Sequence, residues 1–282
     1  MSHLLYDLSD NIATITFNRP EKRNAYTPEM AVKLTEYLRE CDRDPEVRVV
    51  IITGAGDAFC VGLDLNEVRE RGENAEPVDT SGHPTQRVLR TYPFMISKPV
   101  ICAINGAAGG LGAAYPLTCD IRLAAEDATI AFSFVKWGLV PEMGTTWTLP
   151  RLIGIEKTSD LLLTGRKITG KEAADMGLVL KAVPKSDLMA EARKLATEIA
   201  VGSSPSAVSV VKRMTWGRMM DEGELYRAIY EDDDAIAWAI NGPDAAEGNK
   251  AFFEKRPADW VKVDPEALPK FGKRNANPFG TG

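Results

Sequence analysis

The chain has 282 residues, 44% of them hydrophobic, and a formal net charge of −6, enough for one large domain, or one with an appendage, around a sizeable buried core. The acidic balance argues against nucleic acid as a partner and disfavours a polyanionic ligand unless local basic groups offset the overall field. No apolar run approaches the roughly 18 residues that span a bilayer, and Met1-Ser2-His3 leads straight into strand-like sequence, so no signal peptide, no membrane and a cytoplasmic location are expected.

Leu4 to Leu8 and Ile12 to Phe17 flank Ser9-Asp10-Asn11, and Ala13, Ile15 and Phe17 alternate with Thr14 and Thr16, which predicts a hairpin with one buried face. Asn18-Arg19-Pro20 ends it. Thr27 then caps a helix with Pro28 at its first position, and Met30, Leu34, Leu38 and Cys41 form one apolar stripe that places it on a sheet. Val47 to Thr53 reads as a strand covered on both faces, and Pro99 to Ile104 repeats the pattern after a helix around Gln86 to Met95. Short strands follow at Ile121 to Ala124 and Thr129 to Phe132. A helix opened by Thr169, with Glu172 completing a capping box and Gly177 ending it, leads into Val179 to Val183.

Beyond about Lys185 the pattern is helical only: Leu188 to Ala200, Pro205 to Met219, Leu225 to Ile240 and Pro243 to Lys255. No period recurs, so a solenoid is not expected. The expected organisation is an α/β core of βαβ units over 1–200, a helical region over 201–260 and an extended tail over 261–282.

Several chemistries lack their parts. Gly54-Ala55-Gly56 follows a strand, but the third glycine of a dinucleotide fingerprint would fall on Phe59. Gly165 to Lys171 nearly spells a phosphate loop, yet Glu172 replaces the hydroxyl residue that would hold magnesium, and a helix-terminating turn explains it. His3 and His83 leave little from which to build a Ser-His-Asp or Cys-His system. Cys41, Cys60, Cys102 and Cys119 are scattered through apolar stretches as buried thiols, which implies no metal site. Charges along Glu36 to Arg48 and Glu231 to Asp234 are read as solvated helix faces, and Trp216, Trp238 and Trp260 as packing residues. Asp64 and Asp120 are read as structural, the latter with Arg122 as its partner, although Asp64 lies close to the first glycine turn.

Two segments ask for more. Gly54-Ala55-Gly56-Asp57-Ala58-Phe59-Cys60-Val61-Gly62-Leu63-Asp64-Leu65 is followed by Ile104-Asn105-Gly106-Ala107-Ala108-Gly109-Gly110-Leu111-Gly112. Paired glycine turns let two backbone N–H groups approach one oxygen with no Cβ in the way, the arrangement of an oxyanion hole. With Asn18 to Ala25, Cys119 to Arg122, Gly138 to Thr145, Leu163 to Thr169, and Asp244 to Gly248 with Phe253 to Arg256, these segments resemble the crotonase (enoyl-CoA hydratase/isomerase) superfamily from about Asn11 to Trp260.

The resemblance implies a crotonase-like spiral of ββα units with a helical C-terminal trimerisation region, assembled as a homotrimer or a dimer of trimers. It implies an acyl-CoA thioester as substrate, with coenzyme A entering only as part of it and no separate cofactor. The N–H groups of Val61 and Leu111 become the oxyanion donors. The two glutamates that family hydratases use align with Ala114 and Phe134, neither of which moves protons. Glu142 remains, at the position of the acid in one branch of family isomerases, with Phe134, Trp137, Met143 and Trp147 expected to shield it from water. Lys22 and Arg23 are the candidates for the CoA phosphates, with Ala25, Leu63, Asp64 and Leu65 beside the nucleotide and Lys255 and Arg256 reaching it from an adjoining subunit. The loop from Arg69 to Thr85 is expected to wall the acyl pocket. An enoyl-CoA isomerase is the favoured expectation. A hydratase with an altered acid/base set, a hydrolase or C–C lyase, and a non-catalytic acyl-CoA-binding subunit stay open.

Overall fold

The structure, a computed structural model, describes residues 2–64, 91–220 and 224–260. Strands β1 (Leu4–Ser9) and β2 (Ile12–Phe17) form the expected hairpin, with Leu4 opposite Phe17. Asp10 and Asn11 both take positive φ, 53° and 62°, the conformation that short Asp and Asn side chains tolerate and that matches the strands' twist. Helix α1 (Pro28–Arg43) starts where Thr27 Oγ1 accepts the Met30 amide at 3.2 Å, and Met30, Leu34, Leu38 and Cys41 are all buried on the sheet. Each large apolar side chain of that stripe contributes about 1.5–3 kcal/mol by leaving water.

Strands then alternate between two sheets. After β3 (Val49–Gly54) the chain adds β4 (Ala58–Cys60); after β5 (Val100–Ile104) it adds β6 (Ala107–Gly109) and helix α2 (Leu111–Ala114), prolonged by a 3-10 turn at Tyr115–Thr118. The same step recurs in β7 (Ile121–Ala125) and β8 (Thr129–Ala131), which lead through a 3-10 turn at Phe134–Trp137 to α3 (Thr145–Ile153) and α4 (Ile155–Thr164). Next come β9 (Lys167–Thr169), α5 (Gly170–Asp175) and β10 (Lys181–Val183). The large sheet has the order β1-β2-β3-β5-β7-β10, parallel from β2 onward, and the small one β4-β6-β8-β9. One strand to each sheet per turn is the spiral that the family resemblance implies, with β5 and all of β3 but its terminal Gly54 buried in the core.

The described residues end in four helices, α6 (Leu188–Gly202), α7 (Pro205–Met220), α8 (Glu224–Ile240) and α9 (Pro243–Glu254), close to the expected bounds. Among the described residues no helix is long and apolar enough to cross a membrane. All four cysteines are buried free thiols. Gly165 ends α4 in the left-handed conformation, as read for the near-phosphate-loop segment, and Thr169 with Glu172 forms the capping box.

Other expectations need correction. Asp120 does not pair with Arg122, whose guanidinium instead donates to the carbonyls of Cys119, Pro116 and Leu178. Asp120 accepts Lys212 Nζ at 2.7 Å, Trp216 Nε1 at 2.6 Å and the Val100 amide at 2.7 Å, because α7 brings a lysine and a tryptophan four residues apart on one face. Lys212 Nζ also donates to the carbonyls of Pro93 and Lys98, so all three ammonium protons are used. Trp216 is buried, whereas Trp238 and Trp260 are each 44% exposed and are not core packing residues. Asp232 is not solvated: it is 5% exposed, on the stripe shared with Ile229, Ile236 and Ala239. Of the helix read at Gln86 to Met95, Pro93–Met95 is a single 3-10 turn. Thr91 and Tyr92 before it are not helical, and residues 86–90, Leu65, the Arg69 to Thr85 loop, His83 and the tail over 261–282 lie outside the described residues.

Candidate active site

Parallel strands β4 and β6 end side by side, with Cys60 opposite Ala108, β4 reaching Gly62 after Val61 and β6 running directly into Gly110. Gly62 stands at φ +101° and Gly110 at φ +51°, backbone that L side chains rarely adopt. The two turns also touch. A Cβ on Gly109 would sit 3.1 Å from the Val61 carbonyl oxygen, and one on Gly62 would sit 3.0 Å from the Gly109 oxygen and 3.9 Å from the Leu111 nitrogen. A Cβ on Gly112 would collide with the Cys60 carbonyl. The backbones of Val61 and Leu111 are thus neighbours, at the carboxyl ends of parallel strands, where α/β folds gather ligands. Leu111 opens α2, and the first amides of a helix lack intrahelical acceptors.

Glu142 approaches from a third segment. The chain leaves the Phe134–Trp137 turn through Gly138 at φ +64°, then passes Glu142 and two consecutive left-handed residues, Met143 at φ +60° and Gly144 at φ +68°, before α3 begins. Positive φ at methionine costs energy that the surrounding contacts must offset, and such outliers cluster at functional sites. Glu142 is 6% exposed. Its charge acts on Cys60, whose thiol is pushed up to about 12 by burial first, with Glu142 adding to the rise and the Gly62 amide opposing it. The carboxyl is thus within electrostatic range of Cys60, the residue that precedes Val61. Phe134, Met143 and Trp147 are buried around this segment, and the Phe134 ring comes within 4.0 Å of where a Gly110 Cβ would be. Trp137 packs instead on Phe252 of α9, ring centroids 4.6 Å apart and planes tilted by 52°. Ala114 is fully buried in α2.

The segment proposed for the nucleotide lies alongside the first glycine turn. Tyr26 and Leu63 form a parallel bridge, with the Tyr26 amide donating to the Gly62 carbonyl at 2.7 Å and the Asp64 amide to the Tyr26 carbonyl at 3.0 Å. Arg19 holds both sides, donating to the Ala25 carbonyl at 2.7 Å and to Asp64 Oδ2 at 3.0 Å. Asn24, buried at φ +57°, donates to the carbonyls of Ala55 and Ala58 and accepts the Arg19 amide. Lys22 and Arg23 stand exposed on this turn as basic groups free of the core, and Asp64 is buried in its ion pair. Lys255 belongs to another element, the left-handed C-terminal cap of α9, and is exposed.

Sequence reasoning missed Arg19, Asn24 and Asn105, which clamp the turns, Asn105 bridging the Gly54 amide and the carbonyls of Gly56 and Ala58. It also missed Asp232, which accepts the Thr146 hydroxyl at 2.6 Å. The signal was present: Asp232 falls at helical spacing between Ile229 and Ile236.

The chain matches the family model described as enoyl-CoA hydratase/isomerase over residues 7–263. It is 32% identical over 273 residues to the 1,2-epoxyphenylacetyl-CoA isomerase of Escherichia coli (strain K12), covering 93% of this chain and 99% of that protein. With the short-chain-enoyl-CoA hydratase of Clostridium acetobutylicum it shares 31% identity over 263 residues, covering 93% and 98%. The crystal structure of an enoyl-CoA hydratase/isomerase from Pseudoalteromonas atlantica T6c superposes with a TM-score of 0.82 at 30% identity, covering 92% of this chain and all of that one.

Proposed function

The chain belongs to the enoyl-CoA hydratase/isomerase (crotonase) family, which acts on acyl-CoA thioesters, and from that premise we propose that it is an enoyl-CoA isomerase with Glu142 as its only acid/base. What supports this reading is a buried carboxylate, Glu142, within electrostatic range of Cys60 in the first glycine segment, while the two positions aligned with hydratase glutamates hold the buried, non-ionisable Ala114 and Phe134.

In this mechanism the thioester carbonyl oxygen of a 3-enoyl-CoA accepts the N–H groups of Val61 and Leu111. Glu142 removes a proton from the α carbon, and the electron pair delocalises over the carbonyl and the C3–C4 double bond as a dienolate. The same carboxyl returns the proton to the γ carbon, leaving the double bond between C2 and C3. Each amide donor contributes about 2.7–4 kcal/mol to the dienolate-like transition state. Lys22 and Arg23 meet the CoA phosphates against the chain's net negative charge, with Ala25, Leu63, Asp64 and Leu65 along the nucleotide and Lys255 arriving from a neighbour in a trimer or dimer of trimers. Coenzyme A comes with the substrate, and the cytoplasm is the proposed location.

A hydratase with Glu142 and an altered water position is the second reading, favoured by the name of the Clostridium relative. Separate incubation with 3-enoyl-CoA and 2-enoyl-CoA, followed by absorbance of the conjugated thioester, decides between them. The expected result is conjugation of the first; hydration of the second with the first left unchanged overturns the isomerase assignment.

A further inference from the structure

Helix α3 starts with no side-chain cap of its own. Its boundary residue Gly144 has no side chain to offer, and Thr145 turns back, its amide and hydroxyl donating to the Glu142 carbonyl at 3.1 and 2.6 Å. The Trp147 and Thr148 amides bond the Gly144 carbonyl. The cap arrives from 86 residues further along: Asp232 on α8 accepts the Thr146 hydroxyl on Oδ1 at 2.6 Å, and the Thr146 and Gly144 amides act on the same carboxyl. Asp232 Oδ2 is buried with no hydrogen-bond partner.

A half-satisfied carboxyl on a stripe otherwise made of Ile229, Ile236 and Ala239 is destabilising relative to an apolar residue there. Packing alone does not explain it. What the carboxyl holds is the end of a segment with two consecutive left-handed residues, Met143 and Gly144, a conformation that persists only when its surroundings enforce it. We propose that Asp232 is a positioning residue for Glu142, fixing the Gly144–Thr146 turn from α8 so that the carboxyl two residues earlier keeps its orientation in the proposed site. The inference rests on the isomerase reading only in taking Glu142 as the acid. Burial lifts the Asp232 carboxyl to about 7, and Oδ1 accepts from Thr146 whether the group is charged or neutral.

The test compares kcat and KM of Asp232→Leu, Asp232→Asn, Thr146→Val and the Asp232→Leu/Thr146→Val double variant on 3-enoyl-CoA, with amide hydrogen exchange over residues 143–148. Asp232→Leu and Thr146→Val are expected to lower kcat on the order of ten- to a hundred-fold at unchanged KM, the cost of a misaimed catalytic group. The double variant should lose no more than either single one, and Asp232→Asn, which keeps an acceptor for Thr146, should restore turnover. Wild-type kcat in a folded Asp232→Leu protein overturns the proposal. If wild type leaves 3-enoyl-CoA unchanged, the isomerase reading fails by itself. The exchange data then decide the inference: faster exchange at 143–148 in Asp232→Leu, reversed in Asp232→Asn, supports it, and equal exchange overturns it.

Discussion

Gly62 carries the tightest demand in the site, with φ at +101° and the Gly109 oxygen 3.0 Å from where a Cβ would stand. Alanine there must either rotate the turn or push β4 and β6 apart, and both movements separate the Val61 and Leu111 amides. Gly62→Ala is expected to lower kcat on the order of 100-fold, comparable with losing one oxyanion donor, while the protein keeps its circular-dichroism spectrum. Stopped-time assays on 3-enoyl-CoA check it. At this scale the glycine pair was readable in the sequence, because the reason for glycine is local to the turn. Asn24, Asn105 and Arg19 were not, since their partners lie up to 51 residues away and only the fold names them. Asp232 was misread because its charge, grouped with Asp233 and Asp234, outweighed its place on an apolar stripe.

Helix α7 is fastened to the core through one buried ammonium. Lys212 and Asp120 have side chains 4% and 16% exposed, and burial lowers the lysine pKa even beside its partner. Lys212→Met leaves Asp120 charged and two carbonyls without their donor, which is expected to cost about 3–5 kcal/mol in urea unfolding followed by tryptophan fluorescence. Helix α8 adds a pH dependence. The Asp232 carboxyl, raised to about 7 from an ordinary 3.8 by burial and by neighbouring Asp233, against the opposing pull of Thr146 and the Gly144 amide, binds its proton more tightly in the folded chain than in the unfolded one. Its contribution to stability is complete below the unfolded value and is lost as pH climbs through about 7. Wild type should therefore lose stability between about pH 4 and 7 relative to Asp232→Asn. Equal pH profiles for the two proteins in thermal melts would exclude this. Helix boundaries were legible from caps, Pro28, Thr169 and Pro243 among them, whereas three-residue strands such as β9 carry too short a pattern to be seen.

Across the whole molecule, the spiral places the ends of β4 and β6 side by side, so that the segments around residues 61 and 111 meet although no local pattern joins them, and the Phe134 ring brings the segment leading to Glu142 against Gly110. The alternation of strands and helices made the fold class legible, and the order of the glycine segments made the family legible. The third segment was legible only as a position, because the path through Met143 and Gly144 depends on a left-handed pair and on α8 behind it. The proposed anionic substrate is compatible with a net charge of −6 because Lys22 and Arg23 offer exposed local positive charge. The most direct test of the chemistry is the rate at which Glu142→Gln converts 3-enoyl-CoA to the conjugated thioester, measured beside wild type at saturating substrate. Loss of general acid–base catalysis lowers kcat by about 10²–10⁴-fold, and a drop of that size with substrate still bound is the expected result. Turnover by Glu142→Gln at the wild-type rate would contradict it.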